Sequence, residues 1–257
     1  MSADAGRDPW ALLDGAGTVL AVHAHPDDES LSTGALLAAL AATGTRVVLV
    51  TATRGEEGEV VPGAIADGDE RALEEIREQE IEAATAALGI AERHWLGAAP
   101  ALAPGAAPRR YRDSGMAWVR EGLAGPSPTA GPDSFSLAPL EQAADDLVAL
   151  IAQVRPAALI GYDDEGTYGH PDHVRAHHVA VAAAARTGVP LVQIASDADA
   201  EGTATREHPA VAETVARAVD SYRTQLTLLG PAEGGLAIRH VGGQDDVVAL
   251  RTGLRTG

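Results

Sequence analysis

The chain has 257 residues, 46% of them hydrophobic but only 3% aromatic, with 28 Gly and 15 Pro. That is a globular composition whose core must be built from Ala, Val, Leu and Ile. A formal net charge of −18 disfavours nucleic-acid phosphates as partners, and the lack of Cys and Lys excludes disulfides, thiolate ligands, Schiff-base lysines and a P-loop lysine.

The first residues, Met1 to Trp10, are polar and have no apolar signal core, and no apolar run reaches the roughly 20 residues of a membrane span. A cytoplasmic chain with no membrane partner is the expectation. Strand and helix signals then alternate. Thr18–Ala24 reads as a buried strand and Leu31–Ala42 as a helix. Arg46–Thr53 is short and β-branched, a second strand. Asp69 to Leu88 is rich in helix formers and stops at Gly89, a C-cap signal. His94-Trp95-Leu96 reads as a short strand, Leu140 to Val154 as a helix ending before Pro156, and Ala157–Tyr162 as a strand. A helix from about Pro171 to Arg186 and a strand Leu191–Ala195 complete the series. Alternation of this kind predicts an α/β, Rossmann-like fold: a mostly parallel sheet with helices on both faces. Ala98 to Ala138, rich in Pro, Gly and Ala, reads as a long loop, functional or disordered. From about Asp197 one helical segment (Pro209 to Thr224) and a Gly-rich end form an elaborated rim on a single domain, 1–257.

Two turns carry the chemistry. His25-Pro26-Asp27-Asp28-Glu29 and His170-Pro171-Asp172-His173 each follow a predicted strand and open a predicted helix. An acidic helix start needs no metal, since carboxylates suit the positive end of the dipole. A histidine gains nothing there, and a second copy at a second strand end is hard to explain by capping. Strand ends of one parallel sheet share a crevice, and imidazole plus carboxylate is a ligand set for zinc or a similar divalent ion. Three protein ligands with an open position make a catalytic site. A nearby carboxylate that is not a ligand could then serve as a general base.

These residues resemble the PIG-L/LmbE-type zinc deacetylases, from about Thr18 to Arg186. Within that stretch, Gly55-Glu56-Glu57-Gly58-Glu59-Val60 and Arg112-Asp113-Ser114-Gly115-Met116 resemble the actinobacterial branch that serves mycothiol. The resemblance implies that His25, Asp28 and His173 hold Zn2+, and that Asp27 is the base for the attacking water. It implies that His170 stabilises the tetrahedral intermediate or protonates the leaving amine, and that Tyr168 polarises the amide carbonyl. Ser32, Glu59, Arg77, Asp113 and Met116 match positions that shape a sugar pocket. The implied substrate is a small N-acetylated amino sugar, such as an N-acetylglucosaminyl-inositol glycoside. Alternatives are a mycothiol S-conjugate amidase, a deacetylase of a sugar-bearing natural product, and, outside enzymes, a sugar-binding module. Whether the chain self-associates as a homo-oligomer is left open.

Other signals read as structural. His177 lies one turn beyond His173 on the same helix face and is the rival ligand. His23 reads as packed behind the ligands, while His94, His178, His208 and His240 read as surface or structural. Gly15-Ala16-Gly17 precedes a strand instead of following one, and so fails as a dinucleotide fingerprint. Tyr222-Arg223-Thr224-Gln225 reads as a helix end.

Overall fold

A computed structural model describes residues 8–120 and 123–256; the polar stretch 1–7 lies outside the described residues. In chain order, α1 (Pro9–Leu13), β1 (Thr18–His23), α2 (Asp28–Leu31), α3 (Gly34–Ala42), β2 (Arg46–Thr51), α4 (Leu73–Leu88) and β3 (Glu92–Trp95) form the first half. A long irregular segment follows, carrying the paired strands β4 (Met116–Arg120) and β5 (Leu123–Pro126). Then come α5 (Leu140–Val154), β6 (Ala158–Tyr162), the kinked turn α6 (Gly166–Gly169), α7 (Pro171–Thr187) and β7 (Leu191–Ile194). The last part holds β8 (Ala204–Glu207), a 3-10 turn Pro209–Val211, α8 (Ala212–Asp220), β9 (Leu226–Ala232), β10 (Gly235–His240), β11 (Asp245–Ala249) and β12 (Arg251–Thr256).

The main sheet has the order β3-β2-β1-β6-β7-β12-β8, and its strands run parallel except β12. Successive residues of its central strands serve opposite faces, as the pleat requires. Val19, Ala21, Val47, Leu49 and Ile160 join the core beneath α3, α4 and α8. Leu20, Val22, Val48, Val50 and Leu159 join a second core beneath α5 and α7. Both faces are therefore covered, as the alternating pattern predicts. Among the described residues no helix is long and apolar enough to cross a membrane.

After β1 the chain builds outward through β2 and β3, then returns to place β6 against the other side of β1. The strand order reverses at β1/β6, and in open α/β sheets ligands bind outside the carboxyl ends of the strands at such a point. The two His-Pro-Asp turns leave the carboxyl ends of these two strands.

Some element boundaries differ from the expectation. The predicted helix Leu31–Ala42 is two, because α2 already starts at Asp28 and breaks at Ser32-Thr33. The helix expected from Asp69 begins at Leu73, because Asp69 accepts the Arg71 backbone N–H (3.1 Å) in a local turn. The Gly-rich end is not irregular: β9, β10 and β11 form their own antiparallel sheet, and β12 enters the main sheet between β7 and β8.

Tyr222 to Gln225 also do more than end a helix. The Tyr222 hydroxyl donates to Glu29 Oε1 (2.6 Å), Thr224 donates twice to Glu80, and the Gln225 amide donates to the Pro26 carbonyl (2.9 Å). This segment clamps the first motif onto α4 and α8. Glu29 is fully buried, and burial pushes its carboxyl up to about 7 against the hydrogen bonds from Ser30, Tyr222 and the Asp27 backbone. It is thus protonated at pH 5 and mostly charged at pH 8. We expect Tyr222→Phe to destabilise the fold at both pH values, but more at pH 8. There the lost bond served a charged acceptor, worth ~1.5–3 kcal/mol against ~0.5–1.5 kcal/mol for a neutral one. Chemical denaturation at the two pH values measures this, and equal losses would contradict it.

Candidate active site

The cluster at the switch point is built from two helix starts. His25 lies two residues beyond β1, and Asp28 is the first residue of α2. His170 caps α7 and His173 sits in its first turn. All four side chains are almost fully buried.

The hydrogen bonds fix the ring tautomers. His25 Nε2 lies 3.2 Å from Asp172 Oδ2, which can only accept, so Nε2 carries the proton and Nδ1 keeps a lone pair. The Thr167 hydroxyl donates to the Gly166 carbonyl (2.6 Å), so it accepts from His173 Nδ1 (2.8 Å) and leaves Nε2 with a lone pair. With both rings neutral, His25 Nδ1 and His173 Nε2 face each other at 3.3 Å as two lone pairs, and a proton or a metal cation must lie between them. The Asp28 carboxylate completes the group, with Oδ1 3.2 Å from His173 Nε2 and Oδ2 3.4 Å from His25 Nδ1. Three acceptors this close repel one another unless a cation lies between them. Donors on a tetrahedron with arms of about 2.0–2.1 Å are separated by roughly 3.3–3.4 Å. The residues present therefore fit a divalent metal such as zinc.

The surrounding charges fit it too. Burial opposes a charged His25 ring, yet Asp113, Asp172 and Asp28 outweigh that penalty and hold its pKa well above the ordinary value. Burial likewise opposes charge on Asp28, but His173 and His25 hold its carboxyl well below the carboxylate range. The same negative field would attract a divalent cation. Asp27 behaves oppositely: burial, then the neighbouring Asp28 charge, push its carboxyl well above the usual range.

His170 Nδ1 accepts the Asp172 backbone N–H (3.2 Å), so its proton is on Nε2. Burial, with the adjacent His25 and His173, pushes its pKa down to about 3. It is a neutral hydrogen-bond donor. Tyr168 exposes 40% of its surface, but burial of its hydroxyl and the Asp28 charge raise its pKa, so it stays an O–H donor.

Two residues of the site have backbones that ordinary residues avoid. Asp27 has φ 114° and Thr167 φ 64°, ψ −87°. For a β-branched threonine this is a genuine outlier, and such strain costs ~1–3 kcal/mol per residue. In Thr167 it aims the hydroxyl at His173; at Asp27 the chain turns sharply between Pro26 and Asp28.

His25, Asp27, Asp28, Ser32, Arg77, Asp113, Tyr168, His170 and His173 all border one cavity of about 360 Å³. Glu59 and Met116 do not. Arg77 is fully buried, and its guanidinium donates to the carbonyls of Gly55, Gly58 and Glu59, which draws the Glu59 backbone inward and leaves its side chain in solvent. A Cβ on Gly58 would lie 2.5 Å from that guanidinium, so a larger residue there would have to displace it. Met116 opens the exposed strand β4 and is 36% exposed.

In sequence, Asp172 stands out only as part of a motif. It is fully buried, takes hydrogen bonds from the Ser114 backbone (2.9 Å) and hydroxyl (2.5 Å), and orients His25. The signal was its place between two expected histidines. His240, expected to be surface or structural, borders the cavity with Gln225 and Asp246. His23 is packed as expected, against the Tyr162 hydroxyl (3.1 Å) and Thr33 (2.9 Å). His177 is turned away to the Tyr162 carbonyl (2.9 Å).

The model of the PIG-L family, described as GlcNAc-PI de-N-acetylase, matches residues 20–184. A 1D-myo-inositol 2-acetamido-2-deoxy-alpha-D-glucopyranoside deacetylase of Nocardioides sp. is 46% identical over 176 residues, covering 67% of this chain and 55% of that protein. Its namesake in Kribbella flavida is 47% identical over 170 residues, covering 65% and 53%. The chain thus spans about half the length of the relatives it matches. Among solved structures, N,N'-diacetylchitobiose deacetylase from Pyrococcus horikoshii superposes with a TM-score of 0.59 at 19% identity, covering 84% of this chain and 73% of the other. The zinc-inhibited form of teicoplanin deacetylase Orf2 gives 0.59 at 21% identity, covering 93% and 98%. These two likenesses concern the fold. The family match covers more than half of the chain and includes both strand-end turns, and on that ground the chain belongs to the PIG-L family.

Proposed function

We propose that the chain is a metal-dependent N-deacetylase that removes the acetyl group from an amino sugar, with zinc as the ion and an N-acetylglucosaminyl-inositol-type glycoside as substrate. The observation that carries this reading is the convergence of three lone pairs, from His25, Asp28 and His173, beside the non-ligand carboxylate Asp27 in one cavity. The names of the relatives at 46% and 47% identity support the substrate class. The cavity size, about 360 Å³, suits one sugar ring and its amide.

An ion held by these ligands supplies Lewis acidity toward the amide carbonyl and the attacking water. Asp27, a carboxylate that borders the cavity without being a ligand, accepts a proton as the water oxygen bonds to the carbonyl carbon. The His170 Nε2–H and the Tyr168 hydroxyl are donors suited to the carbonyl oxygen as it gains charge. Between the two roles the resemblance allows His170, its depressed pKa favours this one, because a ring neutral at pH 7 has no spare proton for the amine. Asp27 is then the group that returns a proton to the nitrogen as the C–N bond breaks, yielding acetate and the free amine. Asp172 acts through His25, by fixing the tautomer that leaves Nδ1 free.

Two measurements test this. The purified protein should bind about one zinc per chain, and Asp172→Asn should weaken that affinity ~10–100-fold, since the orienting acceptor is lost. Chelator competition reads this out, and unchanged affinity would remove Asp172 from the site. Asp27→Asn should keep the metal yet lower kcat ~10²–10⁴-fold in amine release from N-acetylated sugars, because an amide cannot accept the proton. Loss of metal in Asp27→Asn equal to that in Asp28→Ala would refute the division of roles.

A further inference from the structure

The C-terminal rim contributes its own polar wall to the cavity. In β10 the residues of one side are Leu236, Ile238 and His240; in β11 the facing ones are Val248 and Asp246. Leu236, Ile238 and Val248 are buried in the core under α8. Beyond them the same inner side changes to His240 and Asp246, and both border the cavity. The outer side carries a separate ion pair, Arg239 with Asp245 (2.7 Å). The change from apolar to polar therefore falls where the hairpin leaves the core and meets the cavity.

We infer that His240 and Asp246 read adjacent hydroxyls on the part of the substrate attached to the amino sugar, a polyol or second sugar ring. The inference rests on the deacetylase reading. His240 Nε2 lies 3.3 Å from Asp246 Oδ2, and the side chains stay 40% and 65% exposed. An ion pair this exposed contributes little to stability, so the fold does not require it. Asp246 Oδ1 accepts the Val247 backbone N–H (2.7 Å), which fixes the carboxylate and leaves free lone pairs on both oxygens. The imidazole can donate or accept. Neighbouring ring hydroxyls present two polar groups at about the separation of this pair, and each hydroxyl both donates and accepts. Neither residue belongs to the metal cluster, so the pair acts on binding and leaves the reacting amide alone.

The test is calorimetric titration of the zinc-loaded Asp27→Asn protein, whose turnover is slowed ~10²–10⁴-fold, with N-acetylglucosamine and with N-acetylglucosaminyl-inositol. The glycoside should bind ~10-fold or more tightly than the monosaccharide. His240→Ala and Asp246→Asn, each added to that background, should remove most of this preference and leave monosaccharide affinity within about two-fold. A glycoside that binds no better than the monosaccharide overturns the inference, and so does an equal loss for both sugars or no loss at all. Acetate release by the parent protein is followed in parallel. A retained, pair-dependent preference without any release would refute the deacetylase reading and leave the hydroxyl-reading pair standing.

Discussion

The reversal of strand order at β1/β6 is the constraint on which the site depends. Parallel pairing of Val19 with Ala158 and Ala21 with Ile160 sets the two strands in register, so that their carboxyl ends open on the same side. Everything that gathers there is brought by chain geometry: one turn after β1, another after β6, and the Ser114 loop that reaches Asp172 from the connection between them. No local preference for metal binding is needed to bring His25 and His173 together, although 148 residues separate them.

The cost of the arrangement is electrostatic, and it is offset within the cluster. Burying Asp28, Asp113 and Asp172 without partners would be prohibitive. Each carboxylate instead has donors: the His25 backbone for Asp28, the Gly115 and Glu57 backbones for Asp113, and the His25 ring with the Ser114 backbone and hydroxyl for Asp172. Two helix N-termini in the same place add partial positive charge that suits carboxylates and opposes a cation. The surplus of acidic groups resolves that competition. The strained backbones of Asp27 and Thr167 persist for the same reason, since the packed turns around them leave no alternative position.

The central strands, α5, α7 and the two strand-end turns are legible because each has a local signature: β-branched runs, a helical stretch ending before proline, a repeated His-Pro-Asp spelling. What stayed hidden depends on distant partners. Asp172 becomes an orienting group only through Ser114, and Tyr222 becomes a clamp only through Glu29. Glu59 shows the converse. Its place in a motif suggested a side-chain role, but the buried Arg77 claims its carbonyl. The C-terminal strands were masked by their glycines and by faces only half buried, as in β9, where alternate residues meet solvent. A half-exposed strand of this kind gains its identity from the hairpin it joins.

The placement of β12 affects how the sheet is completed. Among the described residues β8 pairs in the sheet with β12 alone, and β12 lies between it and β7. When residues 204–207 are reached in chain order, their pairing partner is still more than forty residues away. The pairing is thus non-local, and loop-closure entropy must be met before its contacts contribute. Until residues 251–256 arrive, β7 exposes an open parallel edge, the kind of edge that invites pairing with another chain. The antiparallel strand that finishes the sheet also closes that edge, so the order of events along the chain leaves an interval in which the nascent protein is most exposed to misassociation.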